Sequence, residues 1–242
     1  MMLKTFFGPA ALLVLLSPFN AMSAPLPDDF SVKYSFEFAG LNAGHLTKHI
    51  TRTGDNHYTL HSDTEPSGLA KMMLGSKAII TEEASFDLEG DNIRPMEYRV
   101  KQESKGGYDR KVVFDWKQKI LKYKNGKVEP MPAGPVMDAG SVFFSFMPRA
   151  GGKIDVQNDR IFVTDGRRTT GYTYQRVEDQ TITTKAGKFK CVVIQRDAMK
   201  SDKLNRVTIW LAYDKGLAPV KLVKVKAGKP KTVLEAVSIE GL

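Results

Sequence analysis

All four histidines of the chain fall within seventeen residues, at His45, His49, His57 and His61. Neutral imidazoles are the commonest transition-metal ligands. The turn residues Gly54, Asp55 and Asn56 place Thr53 opposite His57, so His49 faces His61 and all four rings share one side of a hairpin. Residues four apart on a strand are about 13 Å apart. Only His49 and His61 can therefore converge, and a metal needs three or four ligands. The same side carries Thr47, Thr51, Thr53, Thr59 and Asp63, the composition of a solvent-facing surface, while Leu46, Ile50, Tyr58 and Leu60 supply a core. The pair His49 and His61 is a weak metal candidate, and no metal is expected.

The carboxylates offer a second chemistry. Glycoside hydrolysis uses two carboxyl groups about 5 to 9.5 Å apart. Glu82 and Glu83 are adjacent on a predicted strand and point to opposite faces, which leaves Glu83 with Asp87 as the local pair. No GxSxG-like turn presents a serine nucleophile. The lone cysteine, Cys191, lies in the apolar stretch KFKCVVIQR, where a thiol is a small buried hydrophobe, and no internal disulfide can form. No catalytic constellation stands out and no cofactor is expected; a glycan-acting hydrolase using Glu83 and Asp87 is an alternative reading only.

The elements that must position these residues are strands. The best-specified is the hairpin Val207–Val225, VTIWLAYDKGLAPVKLVKV, turning at Asp214, Lys215 and Gly216. From Ser31 to Ala39, Val32, Tyr34, Phe36 and Phe38 alternate with Ser31, Lys33, Ser35 and Glu37, predicting a half-buried strand with those aromatics inward. A meander follows from Lys77, with turn signals at Asp91-Asn92, Gly106-Gly107 and Asn125-Gly126, and strands resume after residue 152. Two stretches break the pattern. PSGLAKMMLGS sets Leu69, Met72 and Met73 at helical spacing, a short helix or Met-rich flap. Asp138 caps a second short helix whose apolar face is Val142, Phe143 and Phe146. The predicted fold is all-β: a strongly curled antiparallel sheet forming a barrel or half-barrel, with one or two short helices as lid or plug.

Residues 1–23 carry one lysine, no acid and an apolar run from Phe6 to Leu16, too short to span a bilayer and suited to a cleavable signal peptide. Cleavage after Ser23 leaves Ala21 and Ser23 at the small-residue positions and residues 24–242 as one mature domain in the periplasm. No cysteine at the junction can take a lipid, and no later segment spans a membrane. Removing Lys4 lowers the net charge from +9 to +8. The basic balance suggests anionic partners such as lipid headgroups or acidic glycans, but the cations are scattered singly along strands as on a solvated face, and an exported chain with no binding motif is not expected to bind nucleic acid.

With these residues in view, the chain resembles a bacterial exported family catalogued as domain of unknown function 3108. The resemblance rests on the order of GLNAGHLT, SGLA, FDLEGDNIRPMEY, VVFDW, the Asp138–Ser141 segment, AGKFKC and WLAYDKGLAPVKL, and covers nearly the whole mature chain. It implies an exported antiparallel β protein of barrel or half-barrel type and brings no catalytic residues. Met137 stands where related sequences are expected to have a polar residue.

The function expected from these features is non-enzymatic binding of an apolar or amphiphilic ligand, an anionic lipid or glycolipid among the candidates. The contacts expected are Leu69, Met72, Met73, Phe143, Phe146 and Trp210, with Arg94 and Arg99 as headgroup partners. A scaffold that adds the strand Lys229–Gly241 to another envelope protein is the other alternative.

Overall fold

The computed structural model describes residues 26–68, 71, 79–103, 106–149, 154, 156–199 and 204–242. The signal segment and the Met-rich stretch, with Leu69, Met72 and Met73, lie outside them.

The first eight strands are β1 (Asp29–Phe38), β2 (Leu41–Arg52), β3 (His57–Pro66), β4 (Ile79–Glu89), β5 (Asn92–Glu103), β6 (Tyr108–Asp115), β7 (Ile120–Tyr123) and β8 (Val128–Pro130). They form a hairpin-connected meander because each apolar-alternating run ends at a turn its residues can make. Gly90, Gly106 and Gly126 all adopt positive φ there. After β9 (Val136–Asp138) come two 3₁₀ turns, Ser141–Phe144 and Met147–Arg149. A second meander follows: β10 (Gln157–Thr164), β11 (Thr169–Thr184), β12 (Gly187–Ala198), β13 (Asn205–Ala212), β14 (Ala218–Lys226) and β15 (Thr232–Glu240).

All fifteen strands form one sheet in the order β8-β7-β6-β5-β4-β3-β2-β1-β15-β14-β13-β12-β11-β10-β9. Every neighbouring pair is antiparallel except β9 with β10. The chain ends meet in the middle, where β1 pairs with β15 (Val32 opposite Ile239) and joins the two meanders. Among the described residues the sheet is open, with β8 and β9 at its two edges. Side chains still link the two arms: Tyr123 Oη lies 2.9 Å from Thr169 Oγ1, Arg110 is 3.9 Å from Asp165, and β9 packs on β5.

The core lies on one face of both meanders and is rich in large side chains, among them Phe30, Tyr34, Tyr58, Phe86, Tyr98, Phe144 and Tyr174. The 3₁₀ segment plugs this face. Phe144 meets Phe30 edge-on at 5.5 Å, and Phe143 meets Tyr34 in the same way at 5.5 Å.

Four expectations need correction. The Asp138 helix is a pair of 3₁₀ turns, with Phe146 between them and off the face of Phe143; a run interrupted by Gly140 and Pro148 has no room for α-helical bonds. Phe38 is 45% exposed, because register shifts at Lys33/Tyr34 and Phe36/Glu37 turn the end of β1 out of alternation. The strands expected after residue 152 begin, among the described residues, at Gln157, although Ile154 and Val156 before it are buried. The segment Lys229–Gly241 is not an edge: β15 is paired on both sides, which removes the basis for strand addition there.

Candidate functional site

Two successive rungs of the second meander build a cavity beneath the plug. Ile194, Ile209, Leu222 and Leu234 stand side by side across β12–β15. Two residues further along each strand, and so on the same face about 7 Å away, stand Arg196, Val207, Lys224 and Thr232, with Tyr174 of β11 beside Arg196. Alternation thus gives one face an apolar rung followed by a cationic one. Ala139, Val142 and Phe143 of the plug form the roof, and Val163, Arg168 and Tyr172 complete the walls. The space enclosed is about 300 Å³.

The charge of this cavity is uncompensated. Among the described residues, Arg168, Arg196 and Lys224 form no ion pair with a carboxylate, and the one acid in the wall, Asp165, is engaged by Arg110. The Arg196 guanidinium lies 4.4 Å from the centre of the Tyr172 ring. Arg196 Nε and the hydroxyl of Tyr174, a residue 1% exposed, make no well-formed hydrogen bond among the described residues. Burial pushes the Tyr174 phenol up, while the charge of the Arg196 guanidinium and its approach to the phenol oxygen pull the other way. Lys224, at the exposed mouth, is held below the usual lysine range by partial burial, then by repulsion from Arg196 and Lys226. Cations without a carboxylate partner beside an apolar wall give the cavity the character of an anion site.

Across Phe143 lies a second polar group of residues. The Lys48 ammonium, 3% exposed, donates to Glu82 Oε2 at 2.7 Å and to Ser62 Oγ at 3.4 Å, and sits 5.1 Å from the Phe143 ring centre. Tyr98 donates to Glu82 Oε1 at 2.9 Å. Burial raises the Glu82 carboxyl, but Lys48, Tyr98 and Ser62 together hold it below its ordinary range. Asp138, fully buried at the end of β9, accepts from the backbone N–H groups of Gly140 and Ser141 and from the Ser141 hydroxyl. Burial, opposed by those bonds and aided by the Glu82 charge, pushes Asp138 up to about 6. A Cβ at Gly140 would meet Asp138 Oδ1 at 3.1 Å and the Tyr98 ring at 3.4 Å, which is how closely the plug approaches β5. Asp138 and Ser141 thus hold the plug in place.

A larger cavity of about 670 Å³ lies at the far side of the plug, between Arg94, Trp116, Met137, Phe146, Arg149 and Arg160. Its charge is mixed. Glu89 and Asp159 line it, Arg94 pairs with Glu89 and covers the Trp116 ring, and it holds no buried unpartnered polar atom among the described residues. The smaller cavity is therefore the stronger candidate.

The residues expected from sequence are scattered. Phe143 roofs the candidate cavity, whereas Phe146 and Arg94 line the other one. Trp210 alternates with Ile209 to the opposite face of β13 and donates from Nε1 to Gln180 at 2.7 Å. Arg99 is held in a bidentate pair with Asp109, which Arg99 and Lys124 keep below the usual carboxylate range. His49 does stand opposite His61, but their Nε2 atoms go to different carboxylates, Asp29 at 2.7 Å and Asp63 at 2.9 Å. Among the described residues no group of three His, Cys, Asp or Glu gathers to hold a metal. Glu83 and Asp87 are four residues apart on the unbroken strand β4, about 13 Å, and Asp87 is bound by His57 at 2.6 Å. That spacing does not fit a glycosidase pair. Cys191 is buried and its thiol is pushed up to about 12 by burial, so it is an inert core group.

Sequence reasoning missed Tyr172, Tyr174, Arg196 and Lys224. Alternation alone sets Lys224 on the face of Leu222, but counting back from the turn at Asp214–Gly216 sets Val207 against Val223; the register shift between Trp210 and Leu211, which local pattern does not reveal, moves Val207 to Lys224.

Fold and site together define an open antiparallel β-sheet protein with a plugged, cation-lined apolar cavity. The chain belongs to the family described as "Protein of unknown function (DUF3108)", whose profile matches residues 29–235. No curated protein matches this sequence. Among solved structures it is similar to a β-barrel-like protein of the DUF1849 family from Brucella abortus, with a TM-score of 0.58 at 9% identity, covering 89% of this chain and 98% of that one. It is also similar to a DUF1089 family protein from Pseudomonas aeruginosa (0.40, 11% identity, 93% and 98% covered). A third similarity is to the hypothetical lipoprotein YmcC from Escherichia coli (0.36, 12% identity, 90% and 86% covered). Only the first score is high enough to bear on the fold, and it supports a barrel-like sheet.

Proposed function

We propose that this protein is an exported periplasmic carrier that binds a single-chain anionic amphiphile, without chemistry, in the half-barrel formed by β10–β15 and the plug. The observation that carries the reading is the placement of Arg196, Lys224 and Arg168, none of them in an ion pair with a carboxylate among the described residues, beside the apolar rung of Ile209, Leu222 and Leu234. A carboxylate or phosphate headgroup pairs with these cations, and a chain lies along the apolar rung. A volume of about 300 Å³ is at the small end of ligand sites, which favours one acyl chain over a multi-chain glycolipid.

Isothermal titration calorimetry with dodecyl phosphate, palmitate and uncharged dodecanol, each below its micelle concentration, tests this. The two anions are expected to bind, dodecanol at least about tenfold more weakly, and Arg196→Met to cost the anions about tenfold or more, since bonds to charged groups contribute about 1.5–3 kcal/mol. Binding of no anionic chain, or equal binding by Arg196→Met, overturns the proposal.

A further inference from the structure

The mouth of the cavity belongs to one end of the sheet, the end where β1, β14 and β10 finish and β2, β15 and β11 begin. The β14–β15 turn there carries Lys226, Lys229 and Lys231, all exposed and, with Lys224 and Arg168 at the mouth, without a carboxylate partner among the described residues. Between these cations stand exposed apolar side chains: Phe38 (45%), Leu41 (57%) and Leu204 (48%). Backbone bonds fasten the β1–β2 turn, the β14–β15 turn and Leu204 together. Ala39 N–H donates to Lys231 O at 3.1 Å, Ala227 N–H to Leu204 O at 2.8 Å, and Phe38 stands opposite Thr232, a cavity residue. Glu37 and Glu65 are the unpaired acids of this end among the described residues. At the opposite end Arg52, Arg94 and Lys122 pair with Asp28, Glu89 and Asp115, and the lysines left without an ion pair among the described residues, such as Lys117 and Lys185, are divided between separate turns that carry none of the exposed phenylalanine and leucine side chains found here.

We propose that this basic, apolar-studded end docks on an anionic lipid bilayer surface and presents the cavity mouth to it. Isolated phenylalanine and leucine side chains on turns, ringed by lysines, suit insertion at a headgroup layer. Protein interfaces, in contrast, are depleted in lysine at their centres. The inference deepens the carrier reading and rests on it for the purpose of docking, since a headgroup site lying two residues behind the docked rim is placed to exchange a chain with the bilayer. Among the described residues no helix is long and apolar enough to cross a membrane.

The test is flotation of the full chain with vesicles of phosphatidylcholine alone and of equal parts phosphatidylcholine and phosphatidylglycerol, at low and high salt. Each lysine near an anionic surface contributes about fivefold in affinity. The triple variant Lys226→Glu/Lys229→Glu/Lys231→Glu is expected to lose more than about a hundredfold on the anionic vesicles, and Phe38→Ser/Leu41→Ser about tenfold or more. The control Lys117→Glu/Lys185→Glu, exposed at the opposite end, is expected to bind as the natural chain does. Absence of vesicle binding, equal binding to neutral vesicles, or retention of binding by the triple variant overturns the proposal. Binding to immobilised polyglutamate but to neither vesicle overturns the lipid assignment in favour of an acidic protein. Calorimetry with dodecyl phosphate on the triple variant, and flotation of Arg196→Met, separate the two readings: docking survives loss of the headgroup site, and the site survives loss of docking.

Discussion

Replacing Lys48 by methionine removes a cation that the fold cannot easily spare. Its ammonium is 3% exposed and is bound to Glu82 at 2.7 Å and to Ser62 at 3.4 Å. Methionine keeps most of the volume beside Phe143 but leaves Glu82 with Tyr98 as its one strong donor. Breaking a buried pair from one side costs about 3–5 kcal/mol. The Glu82 side chain is 21% exposed, so water softens the loss and about 3 kcal/mol is expected. Of a total stability of about 5–15 kcal/mol that is a large fraction. The double variant Lys48→Met/Glu82→Gln should recover at least about half, because the cost lies in the abandoned charge and not in the missing attraction.

Urea unfolding at neutral pH, with m checked for constancy, reads both numbers. Acid adds a signature. In the natural chain the folded-state pKa of Glu82 is depressed, so its pairing stabilises above the ordinary carboxylate range and is lost as pH falls through the folded value. In Lys48→Met the carboxylate is left half-buried with its cation gone, its folded pKa rises, and the sign reverses: the variant gains stability relative to the natural chain on acidification. A loss below about 1 kcal/mol for Lys48→Met, the level of a surface pair, or no recovery on adding Glu82→Gln, would refute the reasoning.

Asp138 titrates in the opposite sense: its folded pKa is raised from 3.8 to about 6, so the folded chain binds more protons between those values and this group's contribution falls as pH rises from 4 to 6, by about 2 kcal/mol. Asp138→Asn keeps an acceptor for Gly140 and Ser141 and should remove that dependence; equal pH slopes in urea midpoints for the two chains would contradict it. Gly44→Ala is expected to cost at least about 2 kcal/mol and lower Tm by at least about 5 °C, because its Cβ would lie 2.1 Å from Glu65 O at φ +147; calorimetry showing an unchanged Tm would count against the close approach of β2 and β3. Trp210→Phe should cost about 1 kcal/mol through the lost bond to Gln180 and leave dodecyl phosphate affinity within about twofold, whereas a large loss of affinity would restore Trp210 to the site.

Local patterning settled a great deal before any tertiary contact was considered. Alternation and turn residues located nearly every strand, the hairpin at Asp214–Gly216, and the pairing of His49 with His61, because side-chain period and turn chemistry are properties of a few consecutive residues. The motif order identified the family. What lies opposite what across distant strands is not a local property. Only the folded sheet decided that β15 is internal and bound to β1, that Trp210 faces away from the cavity, and that Arg94 and Phe143 fall on opposite sides of the plug. Arg196 reads in the sequence as one more strand cation. It becomes a headgroup candidate only when β11, β13 and β14 bring Tyr174, Val207 and Lys224 into its rung and the plug roofs the space beside it.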